Sequence, residues 1–119
     1  MGRERLGGRA RDPAESARSV LAAYYGIAGY AQFVGRNYDE AMRLARQGIR
    51  ERADFAGAHR VLTAAAAMAG HADTAKAALL ELRRAQPNIS LAWIAEQIPT
   101  KQDAERGHYL EAFSRAGLD

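Results

Sequence analysis

Residues 35–41, GRNYDEA, and residues 70–75, GHADTA, carry one local message twice. Each opens on a glycine, places an acidic side chain a few residues on, and reaches an alanine that begins an apolar stripe. Glycine ends helices, and an acid in a first turn meets the positive end of the helix dipole. Each stretch therefore reads as the joint between two helices. Tyr38-Asp39-Glu40-Ala41 and Ala72-Asp73-Thr74-Ala75 superpose at an offset of 34, and Leu44-Ala45 matches Ala78-Leu79 approximately. Upstream, Tyr24, Ile27, Ala28 and Gly35 match His59, Leu62, Thr63 and Gly70 at an offset of 35. This alignment places one extra residue in the first turn.

Outward from these joints the pattern stays helical. Asp12-Pro13-Ala14-Glu15 combines an Asp N-cap, Pro at the first helical position and Glu two residues on. Val20, Ala23, Tyr24, Ile27, Ala28, Ala31 and Val34 then recur at helical spacing up to Gly35-Arg36. Asn37 is expected to cap a second helix, with Ala41, Leu44, Ala45 and Ile49 inside and Arg43, Arg46, Gln47 and Arg50 outside. Asp54 is expected to cap a third, with Val61, Leu62, Ala65, Ala66 and Ala69 inside and Gly70 as its stop. A fourth places Ala72, Ala75, Leu79 and Leu82 on one face. Ser90 to Gln97 reads as a short helix bearing Leu91, Trp93 and Ile94, followed by Ile98 and broken at Pro99. Thr100 through Asp103 caps a last helix running to Gly117, which buries Leu110 and Phe113. No stretch alternates with period two long enough to make a strand, so the expected class is all-α.

Helix pairs repeating at this period resemble the tetratricopeptide repeat. Its pattern is matched by Tyr24, Ile27, Ala28, Gly35, Tyr38 and Ala41 in one unit, and by His59, Leu62, Thr63, Gly70, Ala75 and Pro87 in the next. Ala53 stands where the first unit would end in Pro, and His59 where an aromatic is usual. The resemblance implies a solenoid of antiparallel helix pairs, about two repeats plus C-terminal capping helices, wound in a right-handed superhelix. Three phrases carry a narrower likeness: Asp54-Phe55-Ala56-Gly57-Ala58-His59-Arg60, Leu91-Ala92-Trp93-Ile94, and His108-Tyr109-Leu110-Glu111 through Arg115-Ala116-Gly117-Leu118. Together they resemble the C-terminal tetratricopeptide region of alphaproteobacterial class III adenylate/guanylate cyclases and related winged-helix regulators. The paired metal-binding carboxylates of a cyclase domain are absent, so that resemblance carries no catalytic residue.

The chain has 119 residues, enough for one small domain. Its 17 Lys and Arg against 14 Asp and Glu give a formal charge of +3. The pI is about 9.6, which suggests a nucleic-acid partner. The excess sits wholly in residues 1–11, where Arg3, Arg5, Arg9 and Arg11 face Glu4 alone. Residues 12–119 are neutral. The expected division is a flexible basic tail, 1–11, and a helical domain, 12–119. The tail lacks aromatic interleaving, so no specific nucleic-acid partner is expected. There is no cysteine, which excludes disulfides, thiolate metal sites and thiol catalysis. The N-terminus has no apolar segment of signal-peptide type, and the location expected is cytoplasmic. The uncharged run Ser19 to Gly35 is shorter than a membrane span and holds Gln32, three Tyr and three Gly, so no membrane partner is expected.

No residue pattern calls for catalysis, a metal or a cofactor, and the chain is not expected to be an enzyme. His59, His71 and His108 show no i,i+4 pair, and His59 is expected to be a partly buried structural side chain. Asp39 and Glu40 serve as first-turn acids. The serines lack a nucleophile-elbow context, and Gly26 and Gly29 lie inside a helix. A groove lined by the first helix of each pair is the expected binding surface for a protein or peptide, with Tyr25, Gln32 and Arg60 on it. In tetratricopeptide proteins that clamp a partner's C-terminal carboxylate this face carries Lys, Asn and Arg. Here only Arg60 fits, which argues against a clamp. The first helix has no preceding partner. Tyr24, Tyr30 and Phe33 are therefore expected on a face covered by an upstream domain or by a second copy. The function expected is a non-catalytic interaction or scaffold module. The alternative is a detached regulatory region of a cyclase-like signalling enzyme.

Overall fold

Asp12 begins the first helix through its own side chain: Oδ1 accepts from the Ala14 N–H at 3.1 Å, and Pro13 takes the first helical position. In the computed structural model the chain is described over residues 12–97 and 103–119. The basic tail 1–11 lies outside these residues, as do Ile98, the break at Pro99 and the Thr100 cap. The described residues form six helices in order: α1 (Pro13–Val34), α2 (Tyr38–Glu51), α3 (Ala56–Met68), α4 (Ala72–Ala85), α5 (Leu91–Gln97) and α6 (Asp103–Ala116). Among the described residues there is no strand. No helix there is long and apolar enough to cross a membrane.

The two joints share one backbone. In each, three successive N–H groups donate to the end of the preceding helix. Gly35 and Ala69 donate to the carbonyls of Ala31 and Ala65 at 3.1 and 3.0 Å. Arg36 and Gly70 donate to Phe33 and Ala67 at 3.0 and 3.2 Å, and Asn37 and His71 to Gln32 and Ala66, both at 2.9 Å. The loops after α2 and α4 repeat as well, Phe55 to Arg52 and Ile89 to Gln86, both at 3.1 Å. Every pair keeps the offset that separates Tyr38 from Ala72, so the extra residue expected in the first turn does not exist. The sequence pairs Gly35 with Gly70 because both are glycines. The residue in the left-handed region is Arg36 at φ 67°, and its counterpart is Gly70 at φ 85°. A side chain costs roughly 1–2 kcal/mol there, and Arg36 uses its guanidinium to donate to the Val34 carbonyl at 2.9 Å.

Two expected caps are also corrected. Asn37 makes no side-chain capping bond, and its Nδ2 donates instead to Gln32 Oε1 at 2.9 Å. Phe55, not Asp54, holds the cap position of α3, while Asp54 pairs with Arg52 at 3.0 Å. Ser90 does cap α5, its Oγ accepting from the Trp93 N–H at 3.0 Å.

Small residues let the first three helices close. A Cβ on Gly29 would stand 3.1 Å from Val61 Cγ1 and 3.3 Å from the Ala41 carbonyl. One on Gly48 would stand 3.2 Å from Ala58 Cβ and 3.4 Å from the Ala22 carbonyl. Helix α3 is the hub, touching α1, α2, α4 and α6. Its face from Val61 through Ala67 is buried throughout. Phe33, Leu82, Ile94 and Phe113 are almost fully enclosed, each removing a large apolar side chain from water for roughly 1.5–3 kcal/mol. Helix α6 buries Phe113 as expected, and a wider stripe with it. His108, Tyr109, Ala112, Phe113 and Ala116 point inward, while Leu110 is half-buried. The chain then returns to α5, where the Leu91 N–H donates to the Asp119 carbonyl at 3.2 Å.

Candidate functional site

The site is built where α6 folds back over α1 and α3. Phe33 of α1 is wholly buried and stacks on the His108 ring, centroids 4.3 Å apart and planes 11° from parallel. Arg36 donates through a guanidinium N–H to His108 Nδ1 at 2.8 Å. With Nδ1 accepting, the other ring nitrogen carries the proton, and Nε2 lies 2.9 Å from the Tyr38 hydroxyl. This arrangement needs the neutral imidazole. Burial holds the His108 pKa below its ordinary value, and the Arg36 charge pushes it the same way against the weaker pull of Glu111 and Glu105.

One position along α6, Tyr109 packs edge-on to Tyr30 at 5.2 Å and to Phe113 at 4.9 Å. Tyr30 donates its hydroxyl to the Glu105 carboxylate. Burial, then that carboxylate, raises the Tyr30 pKa. Burial pushes the Tyr109 phenol up to about 12, with Arg60 pulling the other way. Tyr30 thus keeps its proton as a donor to Glu105, and Tyr109 keeps its own beside Arg60.

Beside this tie lies an open cleft of about 490 Å³. Ile27 and Tyr30 line it from α1, Phe55 and Arg60 from the start of α3, Trp93 from α5, and Glu105 and Tyr109 from α6. The lining is mostly apolar, with Tyr30, Phe55, Trp93 and Tyr109 as its aromatic walls and one cation and one carboxylate among them. Arg60 is fixed on two sides: it donates to Gln86 Oε1 at 2.6 Å and its guanidinium lies 5.1 Å above the Trp93 ring. A flat apolar wall with a pre-placed cation suits recognition of an apolar side chain beside a carbonyl or carboxylate.

Of the three residues expected on the groove, Arg60 lies in it. Tyr25 does not line this cleft: its Cβ lies over Gly48 of α2, and its ring meets Tyr24 edge-on at 5.5 Å. Gln32 sits at the α1–α2 joint with Asn37. Of the three residues expected on the uncovered face, Tyr24 is 60% exposed, whereas Phe33 is enclosed and Tyr30 is half-buried against α6. The following helix does not hold Tyr30 and Phe33 alone, because α6 closes over them as well. His59 is buried, as its motif position suggested; Nε2 meets the Ala53 carbonyl at 2.7 Å, and Nδ1 has no hydrogen-bond partner among the described residues. Sequence reasoning missed Trp93 and Tyr109 as groove walls and His108 as the link. Only the aromatic content of α5 and α6 hinted at them. Among the described residues no group of three or more His, Asp or Glu stands close enough to hold a metal ion. No protein-family model, curated protein or solved structure matches the chain.

Proposed function

We propose that the chain is a non-catalytic protein-interaction module. In this reading α1–α2 and α3–α4 are two tetratricopeptide-type units stacked in a right-handed superhelix, with α5 and α6 as its C-terminal cap. The observation that carries the reading is the constant offset between the hydrogen bonds of the two joints, which equals the tetratricopeptide period. The partner is a peptide segment of another protein, taken into the cleft between Ile27, Phe55, Arg60, Trp93 and Tyr109. Because α6 lies over part of the α1 and α3 faces, the cleft admits one or two apolar anchor residues and not a long extended peptide. Arg60 orients the segment through a backbone carbonyl or carboxylate.

Trp93 is the sole tryptophan and lines the cleft, so its emission reports occupancy directly. Peptides selected from a random display library against the wild-type chain are expected to carry a large apolar residue and to shift Trp93 emission on titration. They are expected to lose roughly tenfold or more in affinity to Arg60→Ala, because hot spots concentrate in such anchors. Peptides that bind Arg60→Ala and Phe55→Ala as well as wild type, without moving Trp93 emission, would remove this site.

A further inference from the structure

The joint-by-joint correspondence of the two helix pairs identifies a face that one of them leaves bare. At the offset of the joints, Tyr24, Ile27 and Ala31 of α1 correspond to Ala58, Val61 and Ala65 of α3. The α3 residues are 0%, 3% and 0% exposed, because α1 and α2 cover them. In α1 the same positions face outward: Tyr24 is 60% exposed, Ile27 73%, and Val20 on the same line 69%. The line continues through Ala17 and Pro13, also exposed. Pro13, Ala17, Val20, Tyr24, Ile27 and Ala31 alternate in steps of four and three, the spacing of a helix-pairing seam. No charged residue interrupts it from Ser19 to Gly35. An unbroken apolar stripe along an exposed helix is an interaction surface.

We propose that this seam is covered by the same seam of a second copy, the two α1 helices running antiparallel about a two-fold axis near Ala22. The sizes choose this arrangement. Antiparallel pairing about Ala22 sets Val20 against Tyr24, Ala17 against Ile27, and Pro13 against Ala31. Each bulky side chain then meets a smaller one. Parallel pairing sets Tyr24 on Tyr24 and Ile27 on Ile27, and leaves Ala17 on Ala17 with a gap. Head-to-tail stacking is closed off at the other end. Ala41, Ala45 and Gly48, the surface of α2 under α3, correspond to Ala75, Leu79 and Leu82 of α4. Those are 2%, 4% and 0% exposed, already covered within the chain. The contact is therefore self-complementary and stops at two copies. Ile27 also lines the rim of the cleft, so the second copy borders the peptide site there, whereas Ala17 and Val20 lie outside its lining.

Mass by light scattering across a concentration series tests this, using the full chain. Wild type is expected at twice the 12.9 kDa chain mass, falling to one copy on dilution. Ala17→Glu and Ile27→Lys alone are each expected to weaken the dimer at least about tenfold, since each forces an unpaired charge into an apolar seam. Both positions are exposed, so the fold is retained, as far-ultraviolet dichroism will show. The double variant Ala17→Glu/Ile27→Lys is expected to regain the dimer, because only the antiparallel two-fold places each new carboxylate beside the new ammonium of the other copy. A wild-type monomer at the highest concentration overturns the proposal. So does a dimer indifferent to Ile27→Lys, or a double variant no tighter than the single ones.

Discussion

The pairs α1–α2 and α3–α4 repeat each other hydrogen bond for hydrogen bond, yet they are used differently. The α3–α4 joint is plain. Gly70 takes the left-handed conformation without a side chain, and a Cβ there would meet nothing within 4 Å. The α1–α2 joint is loaded. Arg36 takes the same conformation at a cost, and its guanidinium reaches across to His108 of α6. The contrast extends back into the last turn of the preceding helices. Phe33 fills a wholly buried place against His108, whereas its counterpart in α3 is Ala67. One backbone template thus serves twice, once as a spacer between helices and once as an anchor for the C-terminal helix.

Phe33→Ala breaks the contrast most severely, since it gives the first pair the small residue of the second. Loss of a fully enclosed ring, with a cavity left between α1, α2 and α6, is expected to cost about 3–5 kcal/mol in urea denaturation. Amide exchange in α6 should accelerate more than in α3–α4, because the lost contacts are the ones that hold α6 down. A cost under about 1 kcal/mol, well below that of an ordinary buried ring, or exchange that rises equally everywhere, would show that α6 is held by Phe113 and Ala112 alone.

The joints themselves give the next effect. Gly70→Ala meets no steric obstacle, so its whole cost is conformational, about 1–2 kcal/mol. Arg36→Gly removes the same backbone penalty from the first joint but also removes the bonds to Val34 and His108. The two terms oppose, and the net change is expected to lie within about 0.5 kcal/mol, the size of an ordinary surface substitution. Urea midpoints of the two variants decide this. If Arg36→Gly gained the whole backbone penalty, the guanidinium would contribute nothing to the anchor.

These residues also explain how much of the fold is legible in the sequence. The helix ends were legible wherever a local rule acts: Asp12-Pro13, Ser90, Gly70 and Gly117. The first joint misled because Gly35 looked like the turn residue, and no sequence rule anticipates an arginine whose left-handed conformation is offset by a bond 72 residues away. Phe113 of α6 was legible, but its neighbours were not, for the same reason. His108 and Tyr109 are polar-tipped, and they turn inward only because Arg36, Tyr38, Tyr30 and Arg60 wait there. Arg60 was legible in the cleft because it follows from the periodicity of α3. Trp93 and Tyr109 were not, because the cleft exists only once α6 has folded back.

The smallest expected effect is the pH response of the anchor. Folding holds the His108 pKa below its ordinary value, chiefly through burial and then through Arg36. Between the unfolded and folded values the unfolded chain binds a proton that the native chain does not, so stability falls as pH falls. The contribution is complete above about pH 6.5, the ordinary histidine value, and is lost as pH drops through the lower folded value. Protonation also turns Nδ1 from acceptor to donor, opposing Arg36, while Glu105 and Glu111 on α6 soften the loss. Urea midpoints should therefore decline from about pH 7.5 to about pH 5.5 in wild type, a window that brackets the ordinary histidine value. The decline should be steeper than in His108→Phe, which keeps a ring for Phe33 but has nothing to titrate. Equal slopes in the two proteins would place the acid sensitivity elsewhere and leave the Phe33 stack as the working part of the anchor.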